Sequence, residues 1–93
     1  MAIRKGNTEG TFSGTGSSDG IKCRVADVSL NFAGTATVNV QRSFDGGSTY
    51  RTIDSFTGSA EKTYEAGATC FMRVNCSAHT DDVDYVVKSQ GEF

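Results

Sequence analysis

A period of two runs through residues 69–78 (TCFMRVNCSA) and limits what this chain can form. One face of the segment carries Cys70, Met72, Val74, Cys76 and Ala78, and the other carries Arg73, Asn75 and Ser77. Successive side chains of a β-strand point to opposite faces, so this pattern predicts a strand with one face in a core and the other toward solvent. Antiparallel sheets commonly contain such half-buried strands.

The same period recurs in three further segments. Their inward-facing sets are Val28, Leu30 and Phe32; Ala36, Val38 and Val40; and Val83, Tyr85 and Val87. A turn at Gly34 separates the first two. Weaker strands are expected at residues 11–14, 21–25, 50–56 and 61–64, and the spacing of Tyr50, Ile53 and Phe56 predicts a bulge in the third of these.

These seven or eight short strands predict an all-β protein. The expected fold is a compact antiparallel β-sandwich, immunoglobulin-like or jelly-roll-like, with a small β-barrel as the alternative. No segment has the apolar stripe of a helix, proline is absent, and eleven glycines supply turns.

The length and the first residues determine the predicted domain organisation. A chain of 93 residues forms one domain that buries only about three fifths of its unfolded surface, so association is expected to add stability. The polar start predicts a flexible arm at residues 1–10, ahead of a domain at 11–93. Within the arm, Ile3, Arg4 and Lys5 are candidates for docking onto a partner by strand addition.

The charge balance excludes several classes of partner. Nine Lys and Arg stand against eleven Asp and Glu, for a net charge of −2, with no basic stripe of the kind that binds phosphate backbones. No apolar run reaches the roughly 20 residues that cross a bilayer, and the first ten residues lack the apolar region of a secretion signal. We therefore expect no nucleic-acid or membrane partner, and synthesis in the cytoplasm.

Cysteine and histidine usage predicts no cofactor. Cys23, Cys70 and Cys76 are expected to be buried reduced thiols. Cys70 and Cys76 on one extended strand lie about 20 Å apart, so the one bridge that could form involves Cys23. The single histidine, His79, and the acidic stretch 81–84 lack the ligand spacing of zinc or calcium sites.

Two patterns superficially match catalytic motifs. Residues 16–20 fit G-x-S-x-G, but a nucleophile elbow needs a strand-to-helix turn above a parallel sheet, and neither is predicted here. Ser77, His79 and Asp81 would lie along one line, with neighbouring Cα atoms roughly 7 Å apart and no oxyanion donors. The chain is predicted not to be an enzyme.

The stretch SFDGGSTY contains the residues of an Asp-box. Ser43, Asp45, Gly47, Thr49 and Tyr50 match S-x-D-x-G-x-T-W, with Tyr where that pattern usually has Trp. An ionised Asp45 can accept backbone N–H bonds within the loop, while Ser43 and Thr49 can tie its two arms. The pattern resembles the hairpins that sialidases and other sugar-active enzymes carry on successive propeller blades, away from the catalytic centre. A single copy indicates a structural corner, and a ligand or calcium site is the alternative.

The wider sequence resembles small virion-associated proteins of tailed bacteriophages and prophages. The resemblance covers most of the chain after Gly10 and is carried by GTFSGTGSSDGIKC, VNVQRSFDGGSTYRTIDSFT, EKTYE and FMRVNC. Its most specific part is the Val-x-Val-Gln-Arg-Ser-x-Asp-Gly-Gly block at residues 38–47. It implies a component of the phage particle, on the capsid surface or near the tail, without enzymatic activity.

Two functional hypotheses follow from this resemblance. The first is a capsid decoration or cement protein on the particle surface, which stabilises the assembled head by bridging the major capsid protein or other virion proteins. It would act as a homo-oligomer, and a trimer on a local three-fold axis would suit that role. The alternative is a carbohydrate- or receptor-binding module of a tail or fibre, with Tyr64 or Phe71 as an exposed stacking platform.

Overall fold

A computed structural model describes residues 3–89 of the chain. Within this range every regular element is a β-strand, as the period of two predicts. The strands are β1 (Ile3–Lys5), β2 (Asn7–Phe12), β3 (Gly16–Ser17), β4 (Gly20–Phe32), β5 (Ala36–Ser43), β6 (Arg51–Phe56), β7 (Ala60–His79) and β8 (Val83–Ser89).

The eight strands belong to one sheet. Six of them lie side by side in the order β2, β8, β4, β7, β5, β6, while β1 pairs with β4 and β3 pairs with β7. All of these pairs are antiparallel except that of β1 with β4. The edges of the main sheet are therefore β2 and β6.

A large bulge interrupts the pairing of β4 with β7. Cys23 lies opposite Cys70, but Val25 lies opposite Glu65, so two steps along β4 correspond to five along β7. The additional residues fall in the small-residue stretch 66–69 of β7, where extra length and small side chains permit a sharp bend. The predicted class, an all-β antiparallel fold of the sandwich or small-barrel type, is confirmed.

The sheet encloses a single core, and most predicted inward residues lie in it. The predicted inward residues of the four alternating segments that are buried are the following: Val28, Leu30, Ala36, Val38, Val40, Cys70, Met72, Val74, Cys76, Val83 and Val87. Phe32 and Tyr85 are half-buried and pack against this core. The prediction for Ala78 is wrong, because a register shift between Thr37 and Val38 interrupts the alternation of β7 and leaves Ala78 exposed.

The strands differ from the prediction chiefly in length. The predicted strand at 21–25 and the alternating segment that follows it are one strand of 13 residues, β4. Likewise, the predicted strand at 61–64 continues through the bulge into residues 69–78 as β7. The bulge predicted within residues 50–56 is confirmed: Val40 lies opposite Asp54 and Gln41 opposite Thr52, which leaves Ile53 as the extra residue.

The prediction of a separate arm is wrong for residues 3–10. Residues 3–5 pair through their backbone with Gly20, Ile21 and Lys22 of β4, and β2 begins at residue 7 and pairs with β8. The predicted docking residues Ile3, Arg4 and Lys5 are therefore part of the sheet, and residues 1 and 2 lie outside the described range. Thr8 and Phe12 are buried, and Gly10 between them leaves room for Tyr85, since a Cβ there would lie 2.8 Å from the Tyr85 hydroxyl.

The three cysteines are buried and unbridged. Cys23 and Cys70 lie directly opposite each other across β4 and β7, at the last pair before the large bulge. Burial raises the pKa of Cys23 to about 12, and the neighbouring Cys70 thiol contributes to this rise. The Cys23 thiol is therefore neutral and unreactive at neutral pH.

Candidate functional site

The hairpin between β5 and β6 contains the five residues of the predicted corner. The Ser43 hydroxyl donates a hydrogen bond of 2.6 Å to Oδ1 of Asp45 and accepts one of 3.0 Å from the backbone N–H of Gly47. The same Asp45 oxygen accepts a bond of 2.8 Å from the backbone N–H of Thr49. Gly46 and Gly47 adopt φ values of 76° and 92°, which favour glycine. These contacts hold the loop in one shape.

The charge of Asp45 is stabilised inside this loop. The Ser43 hydroxyl and then the Thr49 backbone lower the pKa of the Asp45 carboxyl to about 2. Asp45 is thus ionised at neutral pH. Its Oδ1 serves the hairpin itself, which agrees with a structural role for this carboxylate.

Tyr50, the last residue of the pattern, anchors the hairpin to the rest of the sheet. Its ring lies under the guanidinium of Arg73, 3.9 Å from the ring centroid. Arg73 also donates from Nε to Oε1 of Gln41 across 2.8 Å, which links the stack to β5. The Tyr50 hydroxyl lies directly over Gly20, so that position has no room for a Cβ.

Phe44 points away from this hydrogen-bonded frame. Its side chain is 60 % exposed, and it is the one large apolar side chain that residues 6–89 expose to this degree. The guanidinium of Arg42 lies 5.0 Å from the centre of its ring. Arg42, Phe44, Asp45, Thr49 and Arg51 line an open depression of about 290 Å³, which we call the Phe44 surface.

Two arginines face each other beside Phe44. Arg42 on β5 and Arg51 on β6 are directly opposite in the antiparallel register, so their side chains share one face. The ion pairs of the described residues join Lys62 to Asp54 and His79 to Asp82, and neither arginine takes part in them. The Phe44 surface therefore combines an exposed aromatic ring with two cations.

The residues of the catalytic-looking patterns serve structural roles. Ser18, the serine of the G-x-S-x-G match, is buried, and its hydroxyl accepts a hydrogen bond from the backbone N–H of Val74. Asp81 accepts a bond from the Thr35 backbone, which closes the turn next to Gly34. His79 contacts Asp82 instead, at 3.1 Å. Among the residues that the structure describes, no group of three or more His, Cys, Asp or Glu could hold a metal ion.

The predicted stacking aromatics do not form an exposed platform. Tyr64 is buried, at 8 % exposure, and its hydroxyl is bonded to Asp54, so the prediction of an exposed ring is wrong for this residue. Phe71 is half-buried. Among the aromatic residues that the structure describes, the exposed one is Phe44, which the sequence reasoning missed.

A signal for the Phe44 surface was present in the sequence. The inward alternation Ala36, Val38, Val40 would place position 42 and then position 44 in the core, yet position 42 is arginine. A charged residue where the alternation requires an apolar one indicates that the inward face ends there. Phe44 is then beyond the core, next to the turn.

Comparison of the chain with protein-family models, with curated proteins and with solved structures gives no match. Residues 3–89 contain no helix that is long and apolar enough to cross a bilayer.

Proposed function

We propose that this chain is a structural protein of a bacteriophage virion, a capsid decoration or cement protein that binds the particle through the Phe44 surface. The observation that carries the proposal is the exposed ring of Phe44 beside Arg42 and Arg51. Aromatic residues and arginine are enriched among the residues that dominate binding at protein interfaces. The resemblance of residues 38–47 to virion-associated proteins supports the choice of partner.

The rigid hairpin makes Phe44 suitable as an anchor. Both neighbours of Phe44 belong to the hydrogen-bonded frame, since Ser43 is 1 % exposed and Asp45 is held by Ser43 and Thr49. An anchor that is already fixed loses little conformational freedom on binding, so more of the contact energy contributes to affinity.

Binding of this kind would stabilise a shell by mass action. A module that binds the assembled lattice and not the free subunits lowers the free energy of the closed shell. If copies associate with one another, as the small size of the domain led us to expect, several weak contacts combine into strong attachment. This mechanism uses surfaces and requires no reacting group.

The test is rebinding of the purified chain to capsids of its own phage that lack it. We expect Phe44→Ser to lower the bound fraction strongly, because an interface loses its central aromatic anchor. Ser48→Ala, in the same loop, is the matched control, since Ser48 is exposed and does not line the surface. Equal binding of the Phe44→Ser variant and the unmodified chain would contradict the proposal.

A receptor- or carbohydrate-binding module of a tail or fibre remains the second candidate. One observation favours it: sugar rings stack on exposed aromatic faces, and Phe44 offers one with polar neighbours. A glycan array with the isolated chain tests it. A signal that Phe44→Ser abolishes would favour this candidate over the decoration role.

A further inference from the structure

We infer that the partner segment that docks on the Phe44 surface is an acidic polypeptide, whose carboxylates bind Arg42 and Arg51. The inference rests on the proposed function, since it names the chemistry of the partner at the proposed docking surface.

Arg42 and Arg51 repel each other across the two strands. Residues directly opposite in an antiparallel pair have Cβ atoms about 4.5–5.5 Å apart, and like charges there are destabilising. Arg42 and Arg51 occupy such a pair, without an ion-pair partner among the described residues. A carboxylate between them would convert this repulsion into two attractive contacts.

The nearby Asp45 does not bridge the two arginines. Asp45 lines the same depression, but its Oδ1 accepts hydrogen bonds from Ser43 and Thr49. It forms no ion pair with either arginine. The Phe44 surface has two cations, Arg42 and Arg51, and one carboxylate, Asp45. Its local charge is therefore positive, in a chain whose total charge is −2.

The guanidinium of Arg42 lies over the Phe44 ring, 5.0 Å from its centre. A guanidinium presents a planar fork of donors that can bind a carboxylate through two hydrogen bonds. An aromatic ring beside such a fork suits a segment that alternates acidic and apolar side chains. A nucleic acid is disfavoured, because its binding needs many cations along the backbone path and this surface offers two.

In the experiment, the purified chain is titrated with a synthetic capped peptide that alternates Glu and Leu. Binding is monitored through the NMR signals of the arginine Nε–Hε groups and of the Phe44 ring. Matched probes are the same peptide with Gln in place of Glu, and a single-stranded DNA oligonucleotide of equal charge. We expect the Glu peptide to bind at the Phe44 surface, with affinity that falls as salt rises, and the Gln peptide to bind at least about tenfold more weakly.

Variants locate the binding and separate this inference from the proposed function. Arg51→Gln should weaken the Glu peptide about tenfold, and Arg24→Gln, at an exposed arginine outside the surface, should not. Arg51→Gln should also leave the thermal midpoint unchanged or raise it, because it removes the repulsion. Equal binding of the Glu and Gln peptides, or preferential binding of the DNA, would overturn the inference. If capsid rebinding then still depends on Phe44, the proposed function stands and only the acidic partner is wrong.

Discussion

The hydroxyl of Tyr64 donates a hydrogen bond of 2.8 Å to Oδ2 of Asp54, and this contact joins two parts of the sheet that share no backbone ladder. Tyr64 lies in the first half of β7, and Asp54 lies on the edge strand β6. Lys62 donates to the same oxygen across 2.9 Å. Side chains thus close the fold between β6 and β7, where the described strands have no pairing of their own.

Loss of the side-chain hydroxyl should change the free energy of unfolding differently at Tyr64 and at Tyr50. Tyr64→Phe removes a bond to a charged acceptor and should lower the free energy of unfolding by about 1–2 kcal/mol. The Tyr50 hydroxyl is buried without a hydrogen-bond partner among the described residues, so Tyr50→Phe should be neutral or stabilise by up to about 1 kcal/mol. Urea unfolding of the two variants checks this, and an equal loss in both would contradict the assigned contacts.

Gly20 should be intolerant of a side chain. A Cβ at this position would collide with the Tyr50 hydroxyl, so Gly20→Ala must displace the ring that stacks on Arg73. We expect a loss of about 1–3 kcal/mol, as for overpacking of a core. Gly58→Ala is the matched control, because a Cβ there meets nothing within 4 Å. Thermal unfolding should separate the two variants, and similar midpoints would show that Tyr50 does not occupy this position.

The hairpin frame should weaken in acid. Because the pKa of Asp45 is lowered to about 2 in the folded chain, from an ordinary value of 3.8, its stabilising contribution is complete above about pH 4 and is lost as pH falls through about 2. Hydrogen exchange at the Thr49 amide, corrected for the intrinsic pH dependence, should show this loss of protection. Asp45→Asn should abolish the pH dependence, whereas a protection factor that is constant from pH 4 to pH 2 in the unmodified chain would contradict it.

Alkaline pH should destabilise the whole domain. The folded Cys23 thiol holds its proton up to about pH 12, whereas in the unfolded chain it ionises near pH 9. The unfolded state therefore binds fewer protons between these values, and the free energy of unfolding should fall by at most about 1.4 kcal/mol per pH unit from this group. Burial also raises the pKa of Tyr64, which adds to the trend. Cys23→Ala should give a shallower slope against pH, and an unchanged slope would show that Cys23 does not contribute.

The alternating segments could be predicted because one property, burial on one face, determines them. Val38, Val40, Val74 and Val87 are fully buried, as the period of two indicates. The first of the weaker strands was predicted at residues 11–14 but lies at 7–12, because Gly10 interrupts the alternation of Thr8 and Phe12, and the space it leaves is filled by Tyr85 from β8. A contact between residues that are far apart in the sequence leaves no pattern in the local sequence of either strand.

The bulge and the Phe44 surface depend on register, which sequence reasoning did not supply. The small side chains of residues 66–69 are compatible with a strand, a turn or a bulge. The pairing of Cys23 with Cys70 and of Val25 with Glu65 makes this stretch a bulge. Likewise, Arg42 and Arg51 become neighbours only through the β5–β6 register. The hairpin residues Ser43, Asp45 and Thr49 were identified because their contacts are local in sequence.

The most direct test of the account is the number of copies of this chain in purified particles of the phage that the proposed function assigns to it, measured by quantitative mass spectrometry against the major capsid protein. A decoration protein that binds throughout the lattice predicts a copy number comparable with that of the major capsid protein. A few copies per particle, or none, would contradict the decoration role.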